Sequence, residues 1–442
     1  MNLDQGNTAF LLIAAALVLL MTPGLAFFYG GLVKAKSVIS MMMMSFGAIG
    51  LIGVLWVLYG YAIAFSGEGG PGFAGIDGWL GINTGQIGLA AAYDQALNNV
   101  DNGLAFPDLA FVAFQATFAI ITVALISGAI ADRAKFGAWM IFAGIWATIV
   151  YFPVASWVFN FTLGDNENAA AFSAANFSDG GWLTYGLQNV FGVGALDFAG
   201  GTAVHINAGA AALALALVLG KRVGFAKGAH TPHNPPFVLL GAGLLWFGWF
   251  GFNAGSELAA DGFAAIAFIN TLAAPAAALL AWLVVEKIRD GKPTSVGAAS
   301  GAVAGLVAIT PACAFLTPGW AILLGIVAGV VCALAIDLKY KLGFDDSLDV
   351  VGIHLVGGLV GTLYLGIFAT GAGLIYSGSA VQLLVQAIAA FSVLIFSFVL
   401  AYLIGLAIEK TIGFRIKNED EIAGIDTVIH GEEGYLLAES KA

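Results

Sequence analysis

Charge is scarce in this chain. Asp, Glu, Lys and Arg make up 10% of its 442 residues and 60% are hydrophobic, whereas soluble domains carry roughly a quarter charged residues. An ordinary water-soluble fold is excluded. Cysteine is nearly absent too: Cys313 and Cys332, both in apolar runs, form no CxxC and no Cys/His metal spacing, so there is no disulfide framework. No HExxH motif occurs, and no helix bears an arginine ladder, which argues against a zinc protease and a voltage sensor. A net charge of −11 with no basic stripe argues against nucleic-acid binding. The 60 glycines follow no Gly-X-Y period and sit inside apolar runs, so collagen-like and disordered readings fail. A polytopic all-α membrane protein remains.

Long apolar runs are what the chain has in abundance. Eleven are long enough to cross a hydrocarbon core of about 30 Å: 8–32, 38–65, 106–131, 137–159, 196–219, 236–256, 259–285, 295–316, 319–337, 346–370 and 381–408. The charges check that count independently. All 16 Lys and Arg fall in alternate connections: Lys34 and Lys36; Arg133 and Lys135; Lys221, Arg222 and Lys227; Lys287, Arg289 and Lys292; Lys339 and Lys341; Lys410, Arg415, Lys417 and Lys441. One helix more or fewer would scatter them over both faces. The positive-inside rule then predicts an outer N-terminus and a cytoplasmic C-terminus, in the inner or plasma membrane. The first run has no basic leader and is too long for a signal-peptide core, so it reads as a retained helix.

Residues 1–409 thus form an eleven-helix unit, followed by a cytoplasmic tail, 410–442. The tail segment EIAGIDTVIHGEEGYLL mixes charges with spaced apolar residues, a pattern suited to docking on the cytoplasmic surface or to recruiting a partner, and equally compatible with a mobile tail. The outer connections carry Glu68, Asp77, Asp94, Asp101, Asp108, Asp165, Glu167 and Asp179 with no basic residue. Such a face concentrates cations, although acidic outer loops also follow from the topology bias alone.

Eleven divides as five, five and one. Because five is odd, two copies of a five-helix unit enter the membrane from opposite faces, which predicts an inverted repeat with a site at its midplane, plus one long C-terminal helix. Small residues four apart, at Gly297, Gly301 and Gly305, at Gly325 and Gly329, and at Gly357 and Gly361, let helix backbones approach closely.

Of five histidines, only His205 and His354 fall inside apolar runs, the fifth and the tenth, the last helix of each expected repeat. A lone intramembrane histidine is often a packing residue satisfied by an interhelical hydrogen bond. A pair at matching places is better read as lining a narrow path, since neutral imidazole both donates and accepts a hydrogen bond while carrying no charge. A bis-histidine haem site or a zinc hydrolase would need further ligands or a general base, and neither is evident. Asp197 opens the fifth run, where a carboxylate caps free N–H groups; Asp349 precedes His354 and reads the same way.

These residues lie in recognisable motifs. DFAGGTAVHINAG (197–209), WFGFNAGS (249–256) and DVVGIH (349–354) occur with MTPGLAFFYGGLVKAKSV (21–38), FQATFAIITVALISGAIADRAKF (114–136) and SGAVAGLVAITPACAF (300–315). Together they resemble the ammonium transporter family (Amt/Mep/Rh) over essentially the whole chain. The resemblance implies a homotrimer with one pore per subunit, ammonium carried inward, no enzymatic activity and no cofactor. By position it makes His205 and His354 the pore pair, Phe118 and Phe252 a stacked gate, Trp249 pore-lining, Ser256 and Phe114 parts of an outer recruitment site, and Asp197 a structural and ammonium-sensing acid. Where the family has an outer tryptophan this chain has Phe159, with Trp157 and Trp182 as possible substitutes. The resemblance also implies a PII-type regulator at the cytoplasmic mouth.

Distances along the helices set an order. Phe118 and Phe252 each lie about 20 Å from the basic ends of their helices and Ser256 one turn beyond, so the sequence from outside is Ser256, the phenylalanines, His205 and His354. Cation–π attraction and the Ser256 hydroxyl would hold ammonium outside. A bare cation pays at least about 2.5–3.5 kcal/mol to enter the core, so ammonium sheds its proton and ammonia passes. The proton either returns outside or travels inward by a separate route. An ammonium sensor of the same fold and a pore for another neutral molecule, such as carbon dioxide, are the alternatives, and methylammonium is the natural analogue for discriminating them.

Overall fold

Inside hydrocarbon every backbone N–H and C=O must be paired within the protein, which leaves helices or closed barrels for runs of this length. The computed structural model makes them helices, and describes residues 3–66, 73–76, 78–98, 105–163, 177–225 and 231–435. In order they are α1 (Gln5–Leu32), α2 (Ala35–Ala64), α3 (Asp108–Ile130), α4 (Phe136–Phe159), α5 (Gly201–Leu219), α6 (Pro235–Gly255), α7 (Gly262–Arg289), α8 (Ser295–Ile309), α9 (Pro318–Leu342), α10 (Val351–Phe368) and α11 (Val381–Thr411). Among the described residues ten are long and apolar enough to span a membrane, and α8 is apolar but shorter. The count of eleven holds.

Three boundaries differ from the apolar runs for a physical reason. The runs at 196 and 346 each begin five residues before α5 and α10, because an aspartate-capped loop leads into each helix. The run 295–316 outlasts α8, since Pro311 has no N–H with which to continue the helical ladder and the chain turns there. Both α5 and α10 open with a π-helical turn, Gly201–Ile206 and Val351–Leu355, carrying His205 and His354 respectively. Turns of this kind concentrate at functional sites.

α1 lies along α6, α7 against α8 and α9, and α11 along α5. The small residues are what permits this. A Cβ on Gly325 would sit 2.1 Å from the Ala274 carbonyl oxygen, and one on Gly361 2.1 Å from that of Ala308, so these backbones touch. Cys313 and Cys332 are buried free thiols.

The two ends of the bundle differ. On the face opposite the Lys/Arg groups, two small antiparallel hairpins pair β1 (Phe73–Ile76) with β2 (Leu80–Asn83) and β3 (Phe161–Leu163) with β4 (Phe177–Gly180). Of the acidic residues assigned to that face, Glu68, Asp77, Asp101, Asp165 and Glu167 lie outside the described residues. On the basic face, Arg222 bridges Asp132 (3.0 Å) and Asp345 (2.9 Å), and Arg133 donates to the Ser347 hydroxyl and the Asp345 carbonyl. The tail docks on this network. Asp426 accepts from the N–H groups of Ile39 and Ser40, Glu421 from that of Val223, and His233 joins the Val33 carbonyl to the Tyr435 hydroxyl.

Candidate functional site

The site is built where α5 and α10 cross, and glycine makes the crossing possible. One turn after each histidine stands a glycine, Gly209 and Gly358. A Cβ on Gly209 would lie 2.5 Å from the Leu355 nitrogen; one on Gly358 would lie 3.1 Å from the Gly201 oxygen and 3.2 Å from the His205 Cβ. Each helix therefore seats on the other beside its partner's histidine. The imidazoles meet there, Nδ1 to Nδ1 at 3.2 Å with ring centroids 5.3 Å apart. One Nδ1 donates and the other accepts, so the neutral pair shares a single hydrogen between them. His205 Nε2 is enclosed and has no hydrogen-bond partner among the described residues. Both rings are buried.

A line of aromatic rings continues from His205 toward the hairpin face. His205 stacks on Trp249 (5.5 Å) and lies 6.2 Å from Phe252. Phe252 stacks on Phe118 at 4.1 Å and 14°, and Phe114 follows at 4.9 Å from Phe118. Thr310 fixes Trp249 by accepting from its Nε1 at 2.8 Å. Ser256, half-buried at the end of α6, donates its hydroxyl to the Phe252 carbonyl at 2.8 Å, leaving the oxygen lone pairs free to accept. Gly255 has no side chain, and its position would bring a Cβ within 2.9 Å of the Phe114 ring, so that ring closes over the end of α6.

Phe159 lies edge-on to Phe118, 6.2 Å away at 82°. The neighbouring tryptophans are committed elsewhere. Trp157 donates to the Trp79 carbonyl at 2.6 Å and packs 4.6 Å from Phe396 of α11, while Trp182 stacks on Trp79 at 4.7 Å. The aromatic neighbour of the Phe118/Phe252 stack on this side is a phenylalanine.

Asp197 spends its carboxylate on the backbone. It accepts from the N–H groups of Gly200 (2.9 Å), Gly201 (2.5 Å), Thr202 (2.8 Å) and Ala203 (3.3 Å), and from the Thr202 hydroxyl. That set defines a helix cap. The equivalence assigned to Asp349 is corrected: Asp346 accepts from Val350 N (3.1 Å) and Val351 N (2.7 Å) and is the cap of α10. Asp349 instead receives Lys339 Nζ at 2.5 Å and takes a left-handed φ of 62°. Spacing carried the signal. Asp197 precedes His205 by eight residues, as Asp346 precedes His354, and each histidine precedes its glycine by four. The same Asp, His and Gly in inverted helices are the internal repeat seen at residue level. Sequence reasoning also missed Thr310, whose role is set by a contact between distant segments. Among the described residues, no group of three His, Cys, Asp or Glu side chains could hold a metal.

Apolar spans meeting around two buried neutral imidazoles, with an aromatic line to one face, define the class: a polytopic membrane transport protein. The Ammonium Transporter Family model matches residues 9–435, and the chain belongs to that family. It is 53% identical to an ammonium transporter of Mycobacterium bovis over 98% of this chain and 91% of the relative, and 42% identical to one of Bacillus subtilis over 98% and 99%. Among solved structures, Candida albicans Mep2 superposes with a TM-score of 0.80 at 32% identity, covering 95% of this chain and 88% of Mep2. A structure named Sensor Amt Protein gives 0.81 at 28% identity, covering 96% and 98%.

Proposed function

We propose that this protein carries ammonium across the membrane by recruiting the cation at the hairpin face, removing its proton near the phenylalanines and conducting ammonia past His205 and His354. The observation that carries this is the unbroken line from Phe114 through Phe118 and Phe252 to two imidazoles 3.2 Å apart, all buried in apolar surroundings. Ring faces attract ammonium at about 0.5–2 kcal/mol, and the Ser256 oxygen accepts a hydrogen bond that potassium cannot offer. Farther in, no formal charge compensates a cation, whereas ammonia finds hydrogen-bonding partners in the imidazoles. Phe159 serves in place of the outer tryptophan, and Asp197 and Asp346 hold the helix entries rather than the cation.

In this reading the hairpin face is outside and the basic face cytoplasmic, which the placement of Lys and Arg supports, with the N-terminus outside, in the inner or plasma membrane. The working assembly is a homotrimer, and a PII-type protein is the regulator that fits the basic mouth and docked tail. Electrical recording on proteoliposomes tests the transport reading. Ammonium and methylammonium should be taken up while potassium is refused, and a protein taking up none of these refutes it. A current with uptake means that the proton crosses as well; uptake without current means ammonia alone.

A sensor is the second reading, favoured by the similarity to Sensor Amt Protein and by a tail tied to the first turns of α2 and to the connection after α5. Ammonium binding that alters tail protection without uptake would select it.

A further inference from the structure

α11 lies outside the two repeats, yet one of its side chains reaches both. Gln386 is buried and pairs its amide with both backbone groups of Leu196: Oε1 accepts from Leu196 N at 2.7 Å, and Nε2 donates to Leu196 O at 2.8 Å. Nε2 also donates to the Thr362 carbonyl of α10 at 3.2 Å, and Oε1 accepts from Gln382 Nε2, one turn earlier, at 3.1 Å. Both hydrogens and both lone pairs of the amide are used. Its orientation is fixed as well, because a backbone N–H needs the oxygen and a backbone C=O the nitrogen. An unpaired amide in an apolar span is costly, and this one is fully satisfied.

What Gln386 holds is the entry to α5. Leu196 immediately precedes Asp197, the cap of that helix. A Cβ on Gly201, the first residue of α5, would stand 2.9 Å from the Thr362 hydroxyl, so α5 starts against the same turn of α10 whose carbonyl Gln386 takes. His205 follows Gly201 by four residues, about one helical turn. The repeat supplies a comparison. An offset of 149, as from 205 to 354, carries Asp197 and Gly209 onto Asp346 and Gly358, and carries Leu196 onto Asp345. The Asp345 carbonyl is held by the Arg133 guanidinium, from the connection between α3 and α4. Charge is tolerated there, at the basic face; beside α5 a neutral amide does the same from a helix that belongs to neither repeat.

We propose that Gln386 is a positioning residue for His205: by tying Leu196 to Thr362 it fixes where α5 starts against α10, and with that the spacing of the two imidazoles. This rests on the reading that the histidine pair conducts ammonia. Ser256 on α6 and Phe114 on α3, read above as recruiting the cation, are not among the partners of Gln386. It therefore governs passage rather than capture.

The test is methylammonium uptake into proteoliposomes, with kcat and KM measured separately beside the thermal unfolding midpoint. Gln386→Leu strips both bonds from Leu196 and should lower kcat about tenfold at a native KM, since a displacement of about 1 Å at a working site can cost about a hundredfold. Gln382→Leu is the control. It removes the bonds to Gly194 and Gln386 but leaves Leu196 paired, so it should lower the unfolding midpoint and keep a native kcat. Gln386→Asn, whose amide falls one methylene short, should lower kcat as well, and decides the matter if the leucine variant does not fold. A native kcat in whichever Gln386 variant folds, a loss confined to KM, or an equal kcat loss in Gln382→Leu overturns the proposal. His205→Ala separates the two levels. Native uptake in that variant removes the histidine reading and this proposal together, while impaired uptake beside a native kcat in the Gln386 variants removes this proposal alone.

Discussion

Gly209→Ala should damage the histidine pair without touching either histidine. The added Cβ would stand 2.5 Å from the Leu355 nitrogen, and ordinary contact begins near 3.4 Å, so α5 and α10 must part by about 1 Å. The Nδ1–Nδ1 distance, now 3.2 Å, would then exceed hydrogen-bond range. Overpacking of this kind costs about 1–3 kcal/mol and the lost hydrogen bond about 0.5–1.5. Alanine recovers about 0.5–1 kcal/mol through its better helix propensity, leaving a net loss of about 0.5–4 kcal/mol. Thermal unfolding of the purified protein and methylammonium uptake in proteoliposomes should both decline. Gly243→Ala in α6 is the control, because a Cβ there meets nothing within 4 Å and only the propensity gain applies. Native uptake together with a native unfolding midpoint in Gly209→Ala would refute the crossing as the determinant of the pair.

Four further outcomes follow from the same contacts. His205→Ala and His354→Ala should each impair conduction or its selectivity while leaving the protein folded, as uptake, current and size exclusion will show; native currents and uptake in both would remove the imidazoles from the pathway. Phe159→Trp enlarges the ring facing Phe118 and should lower KM for ammonium about twofold, equivalent to about 0.5 kcal/mol of extra cation–π attraction. Asp197→Ala leaves several N–H groups at the start of α5 without acceptors and should lower folded yield by removing about 1–2 kcal/mol or more. Asp346→Ala should lower the unfolding midpoint more than Asp349→Ala does, because the first removes a buried cap and the second a partly exposed ion pair.

Element count and the identity of the central residues were legible because both follow from solvent physics. Apolar length sets the spans, and an ionisable side chain such as His205 or His354 inside one is conspicuous. The boundaries at 196 and 346 were less legible, since capped loops at membrane ends are as apolar as the helices they introduce. The assignment of Asp349 as a cap failed for a related reason. Proximity to His354 drew attention to it, whereas the repeat is kept in spacing, which selects Asp346. The orientation of Trp157 was equally hidden: two residues from Phe159, it faces α11 and a neighbouring loop because the helix turns it there.

At 4.1 Å, Phe118 and Phe252 already touch face to face, so no water-sized body fits between them. On the pathway proposed above, the throat is shut at rest, and each molecule that passes must wait for a ring to swing aside and fall back behind it, a turnstile admitting single passengers. On that reading two side chains hold the membrane potential against ion leak.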